Sequence, residues 1–261
     1  MLDELTNISR PDMISASFKL FFDMAAGMVK FHPDVMVIAA GNRPEDSSVA
    51  NMIPNPLISR LCIINITAPS VDEWASWMYD TYEDKWDSRC YAFLKRFTAD
   101  DVYSAVPSKS EGLEPYPVPR TWTAVSVLGS AGIHDAETID GLIGGVVGTK
   151  FRAFCSINVS LEEILENPKR FAEVKLDAQY MVSIMLGNFI TKNVKKKKEI
   201  KRTFGMIDEM DNVSREFILL ALMTMKRNTI ASFLRELFEY NQDYNKILSE
   251  ITLYIRSSLT V

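Results

Sequence analysis

VMVIAAGNRPEDSSVANMIPNPLISRL, residues 35–61, holds a buried-strand pattern, a polar residue at its tip, and an arginine presented after a loop. Four apolar residues followed by Ala-Ala-Gly-Asn predict a core strand of a parallel sheet that ends in a tight turn. At the carboxyl end of such a strand a polar side chain meets ligand, and here that side chain is Asn42. A loop with three prolines, Pro44, Pro54 and Pro56, then leads to the short helical piece PLISRL and to a second apolar strand over residues 62–66. Arg60 falls where that helix meets the strand. The expected fold class is therefore α/β.

Working outward, the chain opens on MLDELTNISRP, where Asp3 and Glu4 follow an apolar residue with no strand before them. A start of this kind suggests missing sequence upstream. Met13, Ile14, Phe18, Phe21 and Phe22 recur at helical spacing within residues 10–24, and Pro11 suits a first turn. Residues 26–33 read as a short hairpin carried by Gly27, with His32 in a structural position before Pro33. Downstream, Ser70 caps a helix over VDEWASWMYDTY, with Asp72 and Glu73 in its first turn. Further helices are expected over residues 88–97 and 100–106, followed by a Pro-, Ser- and Glu-rich loop over 108–119. Arg120 opens the next helix, and residues 139–154 read as one apolar, glycine-containing helix. Ser160 caps a short helix, residues 175–192 form another, and residues 213–259 read as all-helical. Trp74, Trp77 and Trp86 at helical intervals are expected as core or interface anchors.

The composition excludes several classes. With 47% hydrophobic and 24% charged residues, the chain lies far from the highly charged, apolar-poor corner that stays disordered. A net charge of −5 gives no global pull toward nucleic acid or acidic membranes, so nucleic acid is not an expected partner. No apolar run is long enough to span a bilayer, and a cytoplasmic protein is expected. Cys62, Cys90 and Cys155 are too few and dispersed for a disulfide framework and read as packed thiols. With only His32 and His134, a histidine-based metal site is not expected. The run KKKK at 195–198, extended by Lys192, Lys201 and Arg202, reads as a solvated helix face, with contact to a phosphate backbone as the alternative.

The order Asp3-Glu4, helix, hairpin, strand, Asn42, loop, Arg60, strand, then a helical region carrying Arg120 suits nucleotide hydrolysis. A magnesium-bound triphosphate needs a carboxylate for the metal's water shell and a group to orient the attacking water. It also needs positive charge where the transition state gathers negative charge. Taken singly, each of these residues has a plainer reading, as a helix-start charge, a turn former or a surface ion-pair partner. In this order they resemble a MoxR-type AAA+ ATPase of the P-loop NTPase superfamily. LDELTNISRPDM is similar to that family's Walker B strand end, FHPDVMVIAAGNRPEDSS to its hairpin and sensor 1 strand, NPLISRL to its arginine-finger helix, and PVPRTWTAVS to its sensor 2 helix. GGVVGTKFRAFCSINVSLEEILENPKRF resembles its helical lid.

The resemblance implies a partial AAA+ core over residues 1–69, a parallel sheet lacking the Walker A strand. It further implies an all-helical lid over 70–192 and a basic linker with a helical tail over 193–261. It also implies roles. Asp3 would support Mg2+, Glu4 would polarise the lytic water, and Asn42 would position that water against the γ-phosphate of ATP. Arg60 would act on the nucleotide of a neighbour in a homo- or hetero-hexameric ring, and Arg120 would contact the phosphates from the lid. The function implied is ATP-driven, chaperone-like remodelling of protein substrates or a cognate partner protein. The sequence contains no GxxxxGK[ST], and the GTK of GLIGGVVGTKF falls in a helical stretch with no strand before it. The chain alone is therefore expected to be inactive, as the product of a truncated or split gene; the alternatives are a remnant that folds mainly through its helical lid and tail, or pairing with an upstream polypeptide that supplies the Walker A loop. The alternative is a noncatalytic helical protein-interaction module.

Overall fold

The computed structural model describes residues 1–241 and 244, apart from 45, 46, 48, 100, 104–114 and 226. The helix expected over 100–106, the loop over 108–119 and the end of the helical tail lie wholly or partly outside the described residues. The chain divides into two compact units, Met1–Thr67 and Ala68–Val261.

In the first unit a single 3-10 turn, Leu5–Asn7, precedes helix α1, Pro11–Phe18. Pro11 lacks an N–H but sits in the first turn, where none is needed. The helix widens over Lys19–Asp23 and ends at Met24, whose φ of 49° breaks the helical path. Two-residue strands β1 (Ala25–Ala26) and β2 (Val29–Lys30) pair antiparallel, Ala25 opposite Lys30. The turn between them depends on Gly27 at φ 61°, a conformation that costs a residue with a Cβ. The short α2, Asn55–Ile58, buries Leu57.

The expected α/β core is not formed. The two-stranded antiparallel hairpin is the one sheet among the described residues, and the parallel P-loop core is absent from them. Residues 35–40 make one isolated parallel bridge, Leu2 with Ala39, and gain no strand neighbour on their other edge among the described residues. Residues 62–66 are exposed throughout, and no backbone hydrogen bond reaches them among the described residues. Apolar patterning read both stretches as core strands, yet Met36, Ile38, Ile63, Ile64 and Ile66 are all exposed. A strand needs paired edges and a covered face to persist, and three or more strands are the usual minimum.

The second unit is helical and has one continuous apolar core. Helix α3, Val71–Tyr82, begins with a full capping box: Glu73 N–H donates to Ser70 Oγ (3.2 Å), and Ser70 N–H donates to Glu73 Oε2 (2.7 Å). It buries Trp74, Ala75 and Met78 but leaves Trp77 half exposed. Helix α4, Arg89–Arg96, supplies Phe93, around which the first half of the core is built. Its ring lies 4.9 Å from Phe97, 5.5 Å from Trp122, 5.3 Å from Phe151 and 5.7 Å from Phe154. Trp122 comes from α5, Pro119–Ser130, and satisfies its buried indole by donating to Val102 O at 2.7 Å.

The helix expected over residues 139–154 is two. Helices α6 (Ala136–Ile143) and α7 (Gly145–Cys155) meet at Gly144, whose φ of 82° ends the first. Gly148 leaves room for Asp140, which pairs with Arg152 across that joint. Beyond them follow α8 (Leu161–Glu166), α9 (Arg170–Glu173), α10 (Leu176–Asn193), α11 (Lys197–Val213), α12 (Arg215–Met223) and α13 (Arg227–Tyr240). Ser160 Oγ accepts the Glu163 N–H at the start of α8, as its position before Leu161 requires. Helix α10 packs most extensively on α12, and Gly187 sets their approach: a Cβ there would collide with Thr224 Oγ1 and the Ala221 carbonyl.

Gly187→Ala should destabilise the chain by about 1–3 kcal/mol through overpacking. Gly141→Ala, in α6 with nothing within 4 Å of the added Cβ, should stabilise it by roughly 0.5–1 kcal/mol. Urea unfolding followed by circular dichroism reads both signs, and a neutral Gly187→Ala would show that the crossing has room to spare.

Candidate functional site

Three of the five sequence-derived site residues come together in the first unit. Leu2 N–H donates to Ile38 O (2.8 Å), Ala40 N–H to Leu2 O (2.9 Å), and Leu5 N–H to Ala40 O (2.8 Å). This pairing brings the turn after Leu2 beside the residues before Asn42. Thr6, buried in the turn, closes the contact. Its Oγ1 accepts the Asn42 N–H at 3.0 Å, and its carbonyl accepts the Asn51 N–H at 2.6 Å. Gly41 permits the approach, since a Cβ would lie 2.7 Å from Thr6 Oγ1 and 3.1 Å from Thr6 N.

The result is a cluster built on one carboxylate. Glu4 Oε2 accepts from Asn42 Nδ2 at 3.2 Å, across 38 positions of sequence, and from Asn7 Nδ2 at 2.8 Å. Both amides bond the same oxygen, and the residue as a whole is exposed. Glu4 itself has φ 56° and ψ 38°, a left-handed conformation that costs a non-glycine residue about 1–2 kcal/mol. Strain of this kind clusters at ligand sites when neighbours hold it in place, and here two amides do so. Asp3 lies beside it, its Oδ1 accepting the Glu4 N–H at 3.0 Å. Asp3, Glu4 and Asn42 are all exposed.

Arg60, in the same unit, does not join them. Arg60 folds back on its own turn: Nη1 donates to Pro56 O at 2.7 Å, and the guanidinium lies 5.2 Å from the centre of the Phe22 ring. Arg120 is exposed in the first turn of α5, in the other unit.

Mg2+ keeps much of its water and is held by one or two carboxylates together with substrate phosphates. The Asp3–Glu4 pair suits that role. It does not suit a metal held by protein alone, and no group of three or more metal-ligating side chains occurs among the described residues. Among the described residues nothing beside the cluster cradles phosphate. The cavity behind Thr6 measures about 20 Å³, room for a water molecule at most. The GTK of residues 148–150 lies within α7, and its lysine is engaged elsewhere, with Nζ 4.0 Å from the Phe97 ring centre. Asp3, Glu4 and Asn42 offer carboxylate and amide groups of the kind that hold a hydrated metal and its water, and no phosphate cradle accompanies them among the described residues.

The other reactive groups have structural settings. Burial pushes the Cys155 thiol up to about 12 and holds the fully buried Cys90 well above its ordinary range, so neither is a nucleophile at neutral pH. Cys62, expected as a packed thiol, is exposed. Arg89 is clamped by both carboxylate oxygens of Asp87 and reaches His134 at 3.3 Å, tying the loop before α4 to the end of α5. No family model, no curated protein and no solved structure matches this chain.

Asn7, Thr6 and Gly41 were not singled out from sequence. Asn7 had a signal, since a residue three places after Glu4 returns to the same side in one 3-10 turn. Thr6 had none, because its partner is set by the fold. Gly41→Ala should separate Asn42 from Glu4, because the Cβ would crowd the Thr6 side chain at 2.7 Å from Oγ1, the atom that accepts the Asn42 N–H. Loss of the Thr6–Asn42 hydrogen bond should speed amide exchange at Asn42 roughly tenfold, with protection in α10 and α12 unchanged. Unchanged exchange at Asn42 would show that the contact does not depend on glycine.

Proposed function

We propose that residues 1–67 provide the metal- and water-handling residues of a nucleoside triphosphatase of the MoxR type of AAA+ ATPases. In this reading the chain works in the cytoplasm, in a ring with other subunits, and couples ATP binding and hydrolysis to remodelling of a protein partner. The observation that carries the reading is the Asn42–Glu4 contact, since Asp3, Glu4 and Asn42 were named together for this chemistry from sequence. Bound Mg2+ supplies Lewis-acid stabilisation of charge on the phosphate oxygens. Asp3 would hold that ion's water shell. Glu4 Oε1 would accept a proton from the attacking water, while Asn7 and Asn42 fix the carboxylate through Oε2 and the Asn42 amide oxygen remains to orient the water. Arg60, released from Pro56, would serve a neighbouring subunit's nucleotide, and such an arginine is worth about 10³ to 10⁵ in rate. Arg120 would contact phosphate from the helical unit. A second polypeptide would supply the Gly-rich phosphate loop. Unpaired thiols such as Cys62 accord with a reducing compartment.

A second reading is a noncatalytic interaction module in residues 68–261. Trp77 favours it: 49% exposed, the ring stands edge-on to Tyr82 at 5.8 Å instead of filling the core.

Calorimetric titration of the purified chain separates the two. The triphosphatase reading expects weak Mg2+-dependent ATP binding, on the order of millimolar without a phosphate loop, lost with chelation or in Asp3→Asn. Absence of magnesium-dependent binding contradicts it. The chain alone should show no turnover, and turnover abolished by Glu4→Gln would contradict the need for a supplied loop.

A further inference from the structure

The bend between α10 and α11 carries lysines at 192, 195, 196, 197, 198 and 201, all exposed. Their surroundings separate them into two kinds. Lys197 pairs with Glu236 at 3.1 Å, and Arg202, at the end of the run, is held by Glu162 and Glu199 at 2.7 Å each. Lys192, Lys195, Lys196, Lys198 and Lys201 have no carboxylate partner among the described residues. Five unpaired cations within ten residues of a chain with net charge −5 form a local concentration of charge that the rest of the molecule does not neutralise.

Stability does not account for them. Cations favour the C-terminus of a helix, which suits Lys192 at the end of α10. Lys198 lies in the first turn of α11, where the helix dipole disfavours positive charge. Like charges this close repel, so folding gains nothing from bringing them together.

We infer that this bend binds the phosphate backbone of double-stranded nucleic acid, independently of base sequence. Three observations select that ligand. Residues 191–201 include no aromatic side chain, so bases have no surface to stack on and the contacts go to phosphate. Val194 is half-buried and Ile200 is buried, so the bend presents no apolar side chain to insert into a bilayer, as an interfacial membrane anchor would. Exposed flexible lysines suit the closely spaced charges of a duplex without fixed bidentate geometry. This inference is independent of the triphosphatase reading.

The test is fluorescence anisotropy of a labelled mixed-sequence DNA duplex titrated with the full chain. About four phosphate contacts predict a log–log salt slope of roughly −3.6, hence on the order of 100-fold weaker binding at about 200 mM salt than at about 50 mM. Each single Lys→Gln change at Lys192, Lys195, Lys196 or Lys198 should reduce the magnitude of that slope by about one. The combined Lys192→Gln, Lys195→Gln, Lys196→Gln, Lys198→Gln variant should lose binding with its helical circular dichroism intact, as expected for exposed side chains. No binding at about 50 mM salt overturns the inference, as does undiminished binding by the combined variant. Tighter binding to phosphatidylserine vesicles than to the duplex also overturns it.

Discussion

Thr6 against Gly41 is the contact on which residues 1–67 turn. Glu4 and Asn42 are 38 positions apart, and only backbone pairing at fixed register sets their side chains at hydrogen-bond distance. Leu2 with Ala39 sets the register. Thr6 then locks it from both sides, its hydroxyl accepting from Asn42 and its carbonyl from Asn51. Without a Cβ at Gly41 the two backbones come close enough for the amide of Asn42 to reach across. Each bond is worth only about 1 kcal/mol net, so the arrangement depends on their acting together around one buried side chain.

How much of this could be read from sequence depends on how local each interaction is. Ser70, Asp72 and Glu73 announce the start of α3 because a capping box is written within four residues, and Ser160 marks α8 through its own local cap on the Glu163 N–H. The hairpin at Gly27 was legible because its backbone needs positive φ. The strands were not. Residues 35–40 and 62–66 carry the apolar, β-branched composition of core strands, but composition says nothing of whether a pairing neighbour exists. The break at Gly144 was missed for a related reason. Glycine in an apolar helix can be tolerated or can end it, and the outcome turns on the packing of α6 against α7.

The candidate site was legible in its residue types and only partly in its geometry. Asp3, Glu4 and Asn42 come together through the Asn42–Glu4 side-chain hydrogen bond and the Asp3–Glu4 contact. Asn7 completes the hold on Glu4, sharing the oxygen that Asn42 bonds. Arg60 takes a resting position on Pro56 and Phe22, so action on another subunit would require its release. In the helical unit, the ring cluster about Phe93 and the α10–α12 crossing at Gly187 draw residues 74–244 into one core. The described part of the tail, up to Tyr244, is therefore part of the packing that stabilises the unit.

The central claim is that the Asp3–Glu4–Asn42 cluster receives a magnesium-bound triphosphate. Paramagnetic broadening tests it most directly, with Mn2+ replacing Mg2+ and the side-chain amide signals of Asn7 and Asn42 as reporters. The account predicts that Mn2+ with ATP broadens both signals in the native chain, with the effect lost in Asp3→Asn. Signals that stay sharp in the native chain, or broadening that persists in Asp3→Asn, would contradict it.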